Sequence, residues 1–219
     1  MGRPLFITFE GLDGSGKSTH LRRARRWFVE AGMPVIETQE PGGTPLGKAI
    51  REVFLDPAWT SLDGTVETLM VFASRRQHLL EVIEPAIESG SYVLCDRFTD
   101  STYAYQGYGR GVSQALLRRA DELATGGRTP DRTLLFDLPA EVARRRGHSP
   151  SRQLRDGGID RLDSEDLAFY ERVRRGYLAL AERSPERFFL IDSSGSLDDT
   201  EGNVRRALAD LIPSLETVR

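Results

Sequence analysis

Apolar positions along the chain follow two rhythms, short continuous runs and longer stretches with helical spacing. The runs at Phe6–Phe9, Pro34–Thr38, Ser91–Cys95, Thr133–Leu138 and Arg187–Asp192 have the length and apolar content of buried strands. Between them, residues 17–31 carry an apolar face at Leu21, Ala24, Trp27, Phe28 and Ala31 and stop at Gly32, a usual helix terminator. Residues 46–55, 113–125, 140–146 and 197–215 also read as helices. A long helical segment covers 63–89, with Leu69, Phe72, Leu79, Leu80 and Ile83 on its apolar side and an expected kink at Pro85. In 164–183, Leu167, Phe169, Val173, Tyr177 and Leu180 recur at helical intervals. Residues 147–160, rich in Gly, Ser, Arg and Asp, have no apolar period and read as a mobile loop.

Strands alternating with helices from end to end predict an α/β fold, a parallel sheet with helices on both faces. The expectation is one domain over residues 1–219 with a flexible lid near 144–161. Ligands of such sheets sit at the carboxyl ends of the strands. That rule groups Asp13, Glu40, Asp96, Arg97 and the segment after Asp192.

Gly11-Leu12-Asp13-Gly14-Ser15-Gly16-Lys17-Ser18 matches the phosphate-binding loop, between a strand and a helix as that motif requires, with Thr19 following. Glycines let successive backbone N–H groups turn inward around a polyphosphate, and the helix N-terminus adds its positive end. Lys17 would reach the β- and γ-phosphates of a bound polyphosphate, and the Ser18 hydroxyl would ligate Mg²⁺. The chain has only two lysines, Lys17 and Lys48; an arginine-preferring sequence that keeps a lysine wants a compact ammonium there. Asp96, at the end of the third strand, can hold the Mg²⁺ or its water, and Arg97 can take a phosphate bidentately; a strand-end salt bridge is the plain alternative.

Residues 96–107 mix aromatics with neutral hydrogen-bonding groups, which suits a flat heterocycle as well as a core, and Gln106 followed by Gly107-Tyr108-Gly109 tilts it towards a pocket. The Glu40–Pro45 loop can approach a ligand closely or simply connect. The arginines at 144–146, 152, 155 and 161 fit either a solvated basic face or a lid that stabilises a transferring phosphoryl group.

Composition narrows the classes. Hydrophobic residues make up 39% and charged residues 29%, ordinary for a globular chain. A net charge of −3 gives no basic field for nucleic acid. No apolar run reaches the ~20 residues that span a bilayer, Met1–Pro4 is no signal peptide, and the expected location is cytoplasmic. The single Cys95 lies in a buried-strand pattern, and His20, His78 and His148 have no metal-site spacing.

Together the phosphate loop, Glu40-Pro41-Gly42-Gly43-Thr44, and Asp96-Arg97-Phe98 with Ser101 and Ala104-Tyr105-Gln106-Gly107 resemble the bacterial thymidylate kinases (dTMP kinases), of the P-loop nucleoside-monophosphate kinases. The resemblance covers nearly the whole chain. It implies ATP + dTMP → ADP + dTDP with Mg²⁺, a five-stranded parallel sheet and a homodimer. By matching positions it implies that Asp13 lies near the dTMP sugar and phosphate and that Arg97 binds the dTMP phosphate. Arg51 and Arg75 would line the monophosphate site, Ser101 and Gln106 would address the thymine edges, and Tyr105 would pack on the sugar. Glu40 and Asp96 would organise Mg²⁺ and water. Since Gly14-Ser15 offers no arginine in the loop, the resemblance assigns that role to the lid, with Arg145, Arg146 and Arg161 as candidates. Val71 stands where many relatives have a stacking Phe, so Phe72 is expected to stack; Gln39 stands where relatives often have Arg. Another nucleoside-monophosphate or deoxynucleoside kinase is the alternative enzyme reading, and a P-loop nucleotide sensor the non-enzymatic one. With lysines only at 17 and 48, the guanine-specific N-K-x-D element is absent.

Overall fold

A computed structural model describes residues 3–148, 160–212 and 215. Five strands, β1 (Phe6–Gly11), β2 (Val35–Gln39), β3 (Tyr92–Asp96), β4 (Arg132–Asp137) and β5 (Phe188–Asp192), form one sheet. Their order is β2-β3-β1-β4-β5 and every neighbouring pair is parallel. Asp96 lies in register with Phe9 on one side and Gln39 on the other, so three strands end side by side where ligands of such sheets sit.

Alternation along β1 divides the core. Ile7 and Phe9 join Leu21, Ala24, Trp27 and Phe28 of α1 (Lys17–Glu30) and Val204 and Leu208 of α9 (Leu197–Leu208). Phe6 points to the other face, against Leu79, Ile83, Val93, Cys95 and Phe98. There, too, Phe169, Tyr170, Val173 and Tyr177 of α8 (Leu167–Arg183) pack on Tyr105, Leu135 and Leu138, which uses the helical repeat read in the sequence. Thr44 caps α2 (Pro45–Leu55) by accepting from the Gly47 N–H at 3.0 Å, with Pro45 in the first turn, where its missing N–H costs nothing.

The structure departs from the expected elements at four places. The segment 63–89 is α3 (Gly64–His78), a π-helical stretch Leu79–Ile83 and α4 (Glu84–Glu88). Pro85 has no N–H to offer the preceding turn, and the wider turn ahead of it absorbs the mismatch. Residues 99–109, left without an element in the sequence, wind into α5 (Thr99–Thr102) and a π-helical Tyr103–Gly109. Its glycines and β-branched residues are poor helix formers, and packing overrides them: a Cβ on Gly109 would come within 2.7 Å of the Phe169 ring. The helix expected over 140–146 runs one residue further, as α7 (Ala140–Gly147). The last helix ends at Leu208 rather than 215. The central part of the expected lid, with Arg152 and Arg155, lies outside the described residues.

Candidate active site

The loop between β1 and α1 is held open by glycine geometry. Gly11 has φ +137°, and a Cβ there would sit 2.4 Å from the Phe136 carbonyl oxygen of β4. Gly14 has φ +82°, and a Cβ would sit 2.2 Å from the Ala143 carbonyl oxygen, so the loop also lies directly against α7. Leu12 is buried in the cluster beneath, while Asp13, Gly14, Gly16, Lys17, Ser18 and Thr19 line a cleft of about 810 Å³. Both lysines of the chain line this cleft. Lys17 Nζ donates to Asp13 Oδ1 at 3.2 Å.

At the end of β3, Asp96 Oδ2 accepts from the Ser18 hydroxyl, and its other oxygen, Oδ1, is buried with no hydrogen-bond partner. A hydroxyl beside an orphaned carboxylate oxygen is a hard-oxygen pair suited to Mg²⁺. Among the described residues no group of three or more His, Cys, Asp or Glu could hold a metal alone. Water and phosphate oxygens would complete the shell, as is usual for Mg²⁺ at nucleotide sites.

Arg97 is the one non-glycine residue with positive φ among those described, at +71°. This conformation costs an L-residue about 1–2 kcal/mol, and the neighbours enforce it. The Phe98 N–H donates to Glu10 Oε1 at 2.7 Å, and Cys95 Sγ donates to the Arg97 carbonyl at 3.0 Å. The guanidinium is thereby aimed at the cleft. Its Nη1 donates to Ser101 Oγ and Tyr177 OH, each at 3.0 Å, and its Nη2 to Asp13 Oδ1 at 2.9 Å and Tyr105 OH at 3.2 Å. Glu10 supports this turn from inside the sheet. It is fully buried and also accepts from Ser101 Oγ at 2.6 Å and Tyr177 OH at 3.0 Å. Burial, with the Asp100 charge adding to it, pushes its carboxyl up to about 7. Sequence reading missed Glu10 as a site residue; its signal was a carboxylate inside an otherwise apolar central strand.

A second cavity, of about 90 Å³, opens behind Arg97. Arg75, Ser101, Tyr105 and Gln106 line it with Phe54, Val71 and Phe98. Four charged residues, Asp13, Glu40, Arg51 and Arg97, line both the cleft and this cavity. Arg75 is buried between the rings of Phe72 and Phe98, with its guanidinium carbon 4.8 and 5.0 Å from their centroids. Its Nε donates to Glu40 Oε2 at 2.6 Å and its Nη2 to Thr102 Oγ1 at 3.0 Å, while Nη1 is buried without a partner. Arg51 donates to the Pro41 carbonyl at 3.1 Å.

Several sequence expectations need correcting. Phe72 does not line the cavity: it packs with Leu117 and Ala124 under the Arg75 guanidinium, and Phe54, Val71 and Phe98 supply the apolar wall. Glu40 meets Arg75 and, through Oε1, His78 Nδ1 at 2.8 Å, so both its oxygens are engaged by side chains rather than left for Mg²⁺. Arg161 is no lid arginine over the phosphates. It is buried, donating to Glu67 Oε1 at 2.6 Å and to the Phe54 carbonyl at 3.2 Å. Arg145 is exposed and lines neither cavity. Arg146 does line the cleft, donating to the carbonyls of Ser193, Ser194 and Gly195 after β5.

Comparison with known proteins agrees with this geometry. The family model described as Thymidylate kinase matches residues 9–204. Thymidylate kinases from Pseudomonas putida and Desulfovibrio desulfuricans are 44% and 47% identical over 208 residues each, covering 95% and 93% of this chain and 96% and 94% of theirs. The crystal structure of thymidylate kinase from Ehrlichia chaffeensis superposes with a TM-score of 0.74 at 31% identity, covering 94% of this chain and 99% of that one. The chain belongs to the thymidylate kinase family of nucleoside-monophosphate kinases.

Proposed function

We propose that the protein transfers the γ-phosphoryl group of ATP to dTMP, giving ADP and dTDP in nucleotide biosynthesis. The observation that carries this reading is the shared wall. Arg97, bonded to Asp13 of the phosphate loop, faces a polyphosphate-sized cleft on one side and a base-sized, aromatic-lined cavity on the other. Such a residue can hold an acceptor phosphate in line with the donor, and positioning is most of what phosphoryl transfer requires.

In this mechanism the loop N–H groups and Lys17 cradle the donor phosphates, and Ser18 and Asp96 would hold Mg²⁺, which would supply charge to offset that of the phosphates. Arg97 and Arg51 grip the acceptor phosphate, with Asp13 orienting Arg97. Tyr105 covers the sugar, and Arg75, Ser101 and Gln106 meet the base. Arg146 is the described arginine best placed to add charge at the cleft. One domain with a lid near residues 144–161 and a cytoplasmic location complete the reading. No helix among the described residues is long and apolar enough to cross a membrane.

A homodimer is part of the proposal. Val66, Leu69, Ala73 and Leu80 lie exposed along one side of α3 and the turn after it, at alternating spacings of three, four and seven. They make an apolar stripe suited to helix-to-helix association, and α6 (Gln114–Thr125) exposes Leu123 at 84%. ADP release with Mg-ATP should be strongest with dTMP among dTMP, dUMP, dCMP, dGMP, UMP and AMP. Preference for any other acceptor would move the reading to another nucleoside-monophosphate kinase.

A further inference from the structure

We propose that Glu67 is a positioning residue for base selection, fixing the Gln106 amide so that its carbonyl oxygen, not its NH₂, meets the base. The proposal rests on the dTMP reading above and deepens it. Glu67 lies in the first turn of α3 and is fully buried. Its Oε1 accepts from Arg161 Nη1 at 2.6 Å and Arg110 Nε at 3.1 Å, and its Oε2 accepts from Gln106 Nε2 at 2.8 Å. A carboxylate held by two guanidiniums can only accept, so the amide end facing it must be the NH₂. The two ends of an amide have nearly the same shape, and the partner alone decides between them. With one N–H of that NH₂ held by Glu67 the amide's orientation is fixed, and its oxygen is the acceptor Gln106 brings to the cavity it lines.

Arg75 completes the pattern. Its Nη1, a donor by chemistry, is buried without a partner, and Arg75 lines the cavity. Gln106 and Arg75 therefore add one acceptor and one donor to the cavity's lining. Thymine and uracil carry an N–H beside a carbonyl oxygen and complement this pair. Cytosine carries a bare ring nitrogen beside an amino group and opposes it at both points. Glu67, which lies outside the cavity lining, sets half of this code through Gln106.

Steady-state kinetics with dTMP and dCMP on three proteins test the assignment. In Glu67→Gln the new amide keeps its oxygen toward the two arginines, so its NH₂ faces Gln106, which turns over and puts its own NH₂ into the cavity. The ratio of kcat/KM for dTMP over dCMP should fall by about tenfold or more, mainly through the dTMP KM, the scale expected for one mismatched buried hydrogen bond. Combining Glu67→Gln with Gln106→Glu returns an obligate acceptor to position 106 at unchanged total charge, and the ratio should recover to within about threefold of the parent. A folded single variant with an unchanged ratio overturns the proposal, as does a folded paired variant that does not recover. Where the single variant fails to fold, the charge-conserving pair carries the test. A parent protein that fails to phosphorylate dTMP overturns the functional reading instead, and this proposal with it.

Discussion

Arg97 Nη2 donates to Asp13 Oδ1 across 2.9 Å, joining the turn after β3 to the phosphate loop. Arg97→Ala removes this joint and the bidentate group facing the acceptor. We expect kcat/KM for dTMP to fall by about 10²–10³-fold, through both a higher KM and a lower kcat, because one group binds and positions. Initial rates with each substrate varied in turn check this. A change confined to the ATP KM would place the arginine on the donor side.

Lys17→Ala should separate binding from chemistry. The ammonium lines the cleft beside Asp13 and does not line the second cavity. Turnover should drop by about 10²-fold or more, while dTMP binding by calorimetry stays near that of the parent. Unaltered turnover would sink the phosphate-loop assignment.

Two buried groups give the stability a concealed pH dependence. Glu10 titrates at about 7 instead of 4.5, so the folded protein keeps a proton that the unfolded chain has lost, and stability falls as pH rises between these values. His20, buried against Phe136 and near Arg23, is lowered by that burial and by the arginine's charge from 6.5 to about 4. Over that window the unfolded chain holds the extra proton, so stability rises with pH. Each slope is about 1.4 kcal/mol per pH unit where it acts fully, and between about 4.5 and 6.5 they oppose one another. Denaturant titrations should show Glu10→Gln gaining stability with pH across this window and His20→Leu losing it. Parallel profiles for the two variants would contradict the assignment.

Arg161→Ala and Arg145→Ala should differ in kind. Removing Arg161 leaves Glu67 with one guanidinium fewer in a fully buried site, and we expect a loss of about 3 kcal/mol in denaturant unfolding. Removing exposed Arg145 should change stability by less than about 0.5 kcal/mol. Equal effects would mean that the Glu67 pair is not the anchor described.

Leu69→Glu places a charge on the exposed side of α3, where Leu69 is 59% exposed in the single chain. Light scattering should report a shift from dimer to monomer. A variant and parent of the same mass would remove that face as the interface.

Much of this architecture is legible in the sequence. Glycines and Lys17-Ser18 mark the loop by local rules, and the five apolar runs mark the strands because buried parallel strands need no alternation. What escaped reading depended on distant partners. Arg161 finds Glu67 across 94 positions and Arg97 finds Tyr177 across 80, and no periodicity encodes either pairing. Glu67 looks like an ordinary surface charge until burial is known, and Glu10, although it follows an apolar run, gives no sign of the Arg97 turn it supports. Phe72 and Val71 are adjacent on a helix buried on several sides, so spacing cannot tell which faces the cavity. The helical turns of 99–109 exist because α8 packs against them, against their own propensity.

The wall of Asp13, Glu40, Arg51 and Arg97 has a thermodynamic consequence. Its two carboxylates and two guanidiniums balance, and each lines both the cleft and the second cavity, the two spaces proposed for ATP and dTMP. A phosphate arriving on either side draws on the same two cations and redistributes the charge seen from the other. The two affinities are then linked: whatever factor bound ATP imposes on dTMP, dTMP imposes on ATP, with the same sign and size. Four side chains make the two sites one energetic unit.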